Sequence, residues 1–156
     1  MRGLFLCLLM GLAGPVAAQP EVDELIAAGE APPGVVFEIV ESEEDALAWA
    51  LPRVVAMTER LRRHYPDLPV AIVSHGPEQF GLLDSNRGGE FDRIHAEAQG
   101  LGGNDIDLHI CGVHAGWYGH DEDDFPAYVD VAVSGPAQMR DYENFGYVLV
   151  PLRGPD

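Results

Sequence analysis

From residue 35 onward the chain alternates short apolar runs with longer amphipathic ones. Residues 35–41 alternate apolar and polar positions as a half-buried strand does, and Ser42-Glu43-Glu44-Asp45 supplies a cap and first-turn acids for a helix expected to reach about Tyr65. Pro52 falls inside that helix and predicts two segments or a kink, the second carrying Val54, Val55, Met57 and Leu61 inward, with Arg60, Arg62 and Arg63 near its C-terminal end. Residues 69–74 are continuously apolar, the form of a central parallel strand covered on both faces. His75-Gly76-Pro77 ends that run and opens a helix, with Pro77 at the first position and Phe80, Leu82 and Leu83 as apolar positions. A flexible loop over 84–89, a helix from Glu90 to about Gln99 and a third strand over 105–111 follow. The acidic stretch 121–124 reads as a solvated helix start, 128–133 as a fourth strand, 136–144 as a helix and 146–152 as a fifth strand.

Largely apolar strands separated by helices predict an α/β fold, a three-layer α/β/α sandwich around a mainly parallel sheet of about five strands with flavodoxin-like layering. Right-handed crossovers bring every strand C-terminus to one edge, where such sheets bind ligands. The residues expected there are Ser74, His75 and Gly76, then Cys111 and Gly112, then Ser134, Gly135 and Pro136. Two Gly-Pro pairs begin helices on this edge, and free N–H groups at a helix start favour an anion. Gly76, Gly112, Ser134 and Gly135 are therefore the anion- or substrate-binding candidates, although Gly-Pro is also an ordinary helix opening.

Residues 1–18 read as a cleaved signal peptide. Arg2 is the positive end, residues 4–12 the apolar stretch, Gly14-Pro15 a break, and Val16-Ala17-Ala18 a small-residue end before Gln19. The apolar run is too short to span a bilayer, so the expectation is an exported, bacterial periplasmic protein without a membrane anchor after cleavage. Residues 19–34 are acidic, small and rich in Pro and Gly, predicting a flexible N-terminal arm with at most a short helical turn. Residues 35–156 then make a single domain. The net charge of −17, with all nine basic residues arginine, argues against nucleic acid and anionic membrane as partners.

Charge and compartment change the meaning of the cysteines. Cys7 leaves with the signal peptide, and Cys111 has no second thiol to pair with. It is either an inert buried side chain or a reactive or ligating thiol. A thiol at its ordinary pKa of about 8.5 is only a few per cent thiolate at neutral pH, so a reactive one needs a partner. His109, two residues before it, projects to the same strand face, and His75 ends what reads as a neighbouring strand; either could serve as base or imidazolium. The plainer reading is a core histidine and a small buried hydrophobe. His64 and His95 are expected to face solvent from their helices, and Trp117 and Tyr118 to pack as aromatics or to line a pocket or an oligomer surface.

A second class of function is metal binding, in which His109, Cys111, His114 and His120 would hold zinc or copper from a glycine-loosened loop. Cys111-x-x-His114 is similar to a blue-copper loop, but that fold is all-β and Met139 lies far downstream. Residues 121–124 lack the spacing and glycine of a calcium loop. On the thiol reading no cofactor is expected.

Four stretches together resemble the DsrE/DsrF-like family of sulfur-oxidation and sulfur-relay proteins, across about residues 35–152. They are Val70-Ala71-Ile72-Val73-Ser74-His75-Gly76-Pro77, the cysteine-ended strand of residues 105–112, Val129-Asp130-Val131-Ala132-Val133, and the closing residues 144–150. The resemblance implies a compact α/β fold with a parallel sheet, homo-oligomers and, in some branches, a cysteine that carries sulfur as a persulfide. Cys111 looks like that family's cysteine at the end of the third strand. The relay members work in the cytoplasm with dedicated partners, whereas this chain reads as exported. The combined expectation is an exported protein with a thiol-based sulfur-binding or sulfur-transfer role centred on Cys111, supported by His75 and His109. It would be a homo-oligomer served by a sulfur-donor or acceptor protein. The alternatives are the metal-binding protein and a non-catalytic binding or assembly module.

Overall fold

A computed structural model of the protein describes residues 20–154. The strands β1 (Val35–Ile39), β2 (Val70–Ser74), β3 (Ile106–Cys111), β4 (Asp130–Ala132) and β5 (Val148–Leu152) form one all-parallel sheet in the order β4-β3-β2-β1-β5. Helices α1 (Pro20–Ala28), α2 (Leu47–His64), α3 (Asp92–Leu101), α4 (Gly112–Trp117) and α5 (Gly135–Asn144) accompany it. This is the α/β sandwich with a parallel sheet that the alternation predicts. The chain steps outward from β1 to β4, then returns across the sheet to lay β5 beside β1. Because crossovers keep one hand, that reversal places α5 on the face opposite α2 and α3.

The two faces are unequal. Phe37, Ile39, Ile72, Leu108 and Ile110 point toward α2 and α3, where Leu47, Leu51, Leu61 and Ile94 complete a large dry core. Each such side chain contributes about 1.5–3 kcal/mol on burial, so this layer carries most of the fold. The other face holds only Val36, Ala71, Val73 and Met139, covered by the single helix α5. Period-two alternation puts Glu38, His109 and Cys111 on this thinly covered side.

Several local expectations are corrected. Residues 20–28, read as part of a flexible arm, form α1: Val22 is fully buried, Leu25 and Ile26 pack on the core, and the Tyr65 hydroxyl donates to Leu25 O at 2.7 Å. The apolar i, i+3, i+4 spacing of those three residues decides, despite the surrounding Pro and Gly. The stretch read as a signal peptide lies outside the described residues. α2 is one continuous helix starting at Leu47, with Pro52 inside it. Pro52 sits early in the helix, so its missing N–H removes one bond, to Ala48 O, without ending it. Ser42 bonds Glu43 rather than capping. The segment after β2 is a 3-10 turn, Pro77–Leu82, and not an α-helix. The glycine-rich stretch after Cys111, expected as a loop, is the short helix α4. His95, expected to face solvent, is buried beside Ile94 and Ala98, its Nδ1 2.7 Å from Tyr128 Oη; its burial, with Arg87 nearby, holds the imidazole below the usual histidine range. His64 is exposed. Among the described residues no helix is long and apolar enough to cross a membrane.

Candidate functional site

Three neighbouring strands end together around Cys111, and the 3-10 turn of residues 77–82 ties them. Glu78, fully buried, accepts from Ser74 Oγ (2.7 Å) and Gly76 N (3.0 Å) with one carboxylate oxygen and from Glu41 N (2.7 Å) with the other. That joins the ends of β1 and β2. The next residue reaches the opposite way. Gln79, also fully buried, accepts from Cys111 N at 2.9 Å through Oε1 and donates to Cys111 O at 3.4 Å through Nε2. One dipeptide thus fixes the backbone on either side of His75. Neither residue stood out in the sequence, although two polar side chains directly after the Gly76-Pro77 pair that follows a buried strand was the available signal.

His75 and Cys111 are brought together. Val73 pairs with His109 and Ser74 with Ile110, so His75 stands level with Cys111 one strand away, a separation of about 4.8 Å between parallel strands. The start of α5 lies across both: a methyl group on Gly135 would fall 2.5 Å from His75 Cβ and 3.3 Å from Cys111 Cβ. On its far side, His75 Nε2 lies 2.9 Å from Glu38 Oε1 of β1. A carboxylate only accepts, so Nε2 is the donor in this pair. Glu38, His75 and Cys111 therefore run in a line over three adjacent strands on one face. Glu38 was visible in the sequence only as a polar position of the first strand.

The Cys111 side chain is the N-cap of α4, with Sγ accepting from His114 N at 3.4 Å. The residue is 4% exposed. Gly112 packs under the edge strand, where a Cβ would sit 3.0 Å from Ala132 O. Of the proposed anion positions, Gly76 N is already committed to Glu78, and Ser134 caps α5 through its carbonyl, which accepts from Ala137 N and Gln138 N, not through its hydroxyl. Gly135 holds the close approach of α5 to the two candidate residues.

His109 is not directed at the thiol. Its Nε2 lies 2.8 Å from Tyr142 Oη on α5 and its Nδ1 3.8 Å from Asp130 Oδ2. Burial holds the His109 imidazole below the usual range against the opposing pull of Asp130 and Asp107, and burial together with Asp107 pushes Tyr142 up to about 12. The pair is neutral and fastens α5 to β3. His114 donates Nδ1–H to His75 O at 3.0 Å, and His120 Nδ1 lies 3.2 Å from Asp124 Oδ2. Both rings pack on Phe80, at centroid distances of 5.3 and 5.7 Å. The four residues considered as metal ligands thus have separate partners, and among the described residues no three His, Cys, Asp or Glu side chains are gathered to hold a metal ion. Clefts lined by described residues lie elsewhere, among them one of about 400 Å³ lined by Thr58, Arg63 and Asn104 and one of about 560 Å³ lined by Glu44, Glu90 and Arg93.

No protein-family model matches the chain, and no curated protein matches it. Solved structures do share its fold. A protein of unknown function from Methanobacterium thermoautotrophicum, MTH1491, is similar with a TM-score of 0.60 at 22% identity, the match covering 76% of this chain and 97% of that one. The ychN protein from E. coli, a DsrE-like fold protein, is similar with a TM-score of 0.60 at 12% identity, covering 76% and 98%. The likeness is one of fold, and the fold is DsrE-like.

Proposed function

We propose that Cys111 is a reactive thiol that binds and passes on sulfur, with His75 as its proton acceptor and Glu38 as the group that orients His75. The observation that carries this reading is the line Glu38–His75–Cys111, in which Glu38 Oε1 accepts from His75 Nε2–H at 2.9 Å and the His75 side chain stands level with the thiol one strand away. This is the logic of a nucleophile, a base and an orienting carboxylate, with the two imidazole nitrogens exchanged relative to the Ser-His-Asp arrangement. Sulfur as the cargo is what the resemblance of residues 35–152 to the DsrE/DsrF-like family implies.

The chemistry is a thiol–persulfide exchange. The Cys111 thiol gives its proton to His75, and the sulfur attacks the terminal sulfur of a donor persulfide, R–S–SH. A new S–S bond forms on Cys111, the donor's S–S bond breaks, and the donor leaves as a thiolate that takes up the proton. Nothing is oxidised or reduced overall. The leader-like residues 1–18 extend the reading to an exported protein.

The test is mass spectrometry of the folded chain after exposure to glutathione persulfide. One sulfur atom is expected on wild type and none on Cys111→Ser, with His75→Gln slowing uptake by about a hundredfold if it supplies general-base catalysis. A Cys111 that gains sulfur only after unfolding would sink the proposal.

A further inference from the structure

The edge that carries Cys111 also carries most of the uncovered apolar surface. Among the described residues six large hydrophobic side chains are exposed, and four of them, Val113, Trp117, Tyr118 and Val133, lie here, with Trp117 at 76% and Val133 at 86%. They form one patch. Val113 N donates to Val133 O at 3.1 Å, and the Trp117 and Tyr118 rings flank His114 at 5.6 and 5.4 Å. Helix α4, which presents Val113 and Trp117, is the helix capped by the Cys111 sulfur. Trp and Tyr are the usual anchors of protein interfaces, and an exposed cluster of them marks a docking surface.

Carboxylates dominate the charge on this edge, although the exposed Arg153 leaves β5 there as well. In a parallel sheet the segments after β1 and β3 emerge on the same edge, and residues 43–45 and 121–124 are carboxylates without exception, all exposed. Arg93 is the cation that shares a cleft with the first group. Arg60, Arg62 and Arg63 stand at the opposite end, because α2 runs antiparallel to the strands and they occupy its last two turns.

We infer that this edge docks a protein whose contact surface is apolar at its centre and studded with lysine or arginine around it. A second copy of the chain fits poorly, since it would set one carboxylate-rimmed edge against another in molecules of net charge −17. What such a partner exchanges rests on the Cys111 reading above, but the docking needs no thiol and is measurable without one.

The experiment uses the full chain carrying Cys111→Ser and a tryptophan-free peptide of alternating lysine and leucine, with a glutamate-leucine peptide as counterpart. Trp117 fluorescence reports binding, and Trp117→Phe supplies the Trp49 background. The lysine peptide is expected to bind at least about tenfold more tightly than the glutamate peptide, and to weaken steeply between about 20 and 300 mM salt. Changing residues 121–124 to their amides should abolish that preference. Equal binding of both peptides, or binding indifferent to salt, overturns the inference. So does sedimentation showing that the chain self-associates and that Trp117→Ala disperses it, because a second copy then occupies the patch. If these tests succeed while Cys111 takes up no sulfur, the docking stands and the sulfur reading falls.

Discussion

Gly135→Ala is the sharpest probe of the site, because one methyl group must enter where α5 meets both candidate residues. The added carbon would lie 2.5 Å from His75 Cβ, 3.0 Å from His75 Cγ and 3.3 Å from Cys111 Cβ. A carbon at the base of a side chain cannot swing aside, so α5 has to lift or the ends of β2 and β3 have to part. Overpacking of this kind costs about 1–3 kcal/mol, against which alanine returns less than about 1 kcal/mol of helix propensity at the first helical position. The net expectation is a destabilisation of about 1–2 kcal/mol, or roughly 3–8 °C in melting temperature for a domain of this size. Gly100→Ala is the matched control. Gly100 lies in α3 with nothing within 4 Å of a new Cβ, so the same chemical change should stabilise by about 0.5–1 kcal/mol.

Urea unfolding with unchanged m-values would report both. Opposite signs for the two variants support the contact. If Gly135→Ala were as stable as wild type or rose with Gly100→Ala, α5 could not be seated on His75 and Cys111, and the site would lose its lid.

Glu38→Gln should leave the fold intact but slow iodoacetamide alkylation of Cys111 near neutral pH by roughly tenfold, since the amide can still accept from His75 but no longer supplies a negative charge beside a ring that takes up the thiol proton; an unchanged rate would remove Glu38 from the site. Gln79→Leu leaves the buried Cys111 N–H without its acceptor, predicting a loss of about 1–3 kcal/mol and faster exchange of that amide by NMR, and a still-protected amide would refute the clamp. His95 and His109 have lowered values in the folded state, so the unfolded chain binds their protons first; stability should fall as pH drops below about 6.5, less steeply in His109→Gln. Tyr142 works at the other end: raised to about 12, its stabilisation is complete below pH 10 and lost above it, and Tyr142→Phe should flatten the alkaline limb of the denaturation profile.

Much of the fold was legible because burial writes period two into strands and near-continuous apolar runs into central ones. All five strands were recognisable that way, with ends shifted by a few residues where exposed positions such as Val40 leave the ladder. The two misread helices fail for one reason. In α1 and α4, Pro and Gly content argues for loop, while a few apolar contacts, Val22 in one and Ala115 in the other, hold a helix that propensity alone would not. Of the strand order only the adjacency of the second and third strands was read from the sequence; the places of β1, β4 and β5 were not, because which strand lies beside which is decided by the crossovers.

That last gap explains which half of the site was missed. Cys111 and His75 follow from asking what stands at strand ends, but choosing between His75 and His109 as the thiol's partner does not, since both project to its face. α5 makes the choice. It starts with Gly135 against His75 and Cys111 and carries Tyr142 about 10 Å further along its axis, onto His109 one pleat back along β3. The same helix that claims His109 for a neutral tyrosine bond leaves His75, level with Cys111, bonded to Glu38 alone among side chains. Glu38 follows only once β1 is known to border β2, because it is level with Val73 and reaches His75 across that one strand boundary. The two-residue spacing in sequence therefore names a histidine whose ring is taken up by Tyr142, and a neighbour relation that no spacing can express places Glu38 beside the other candidate, His75.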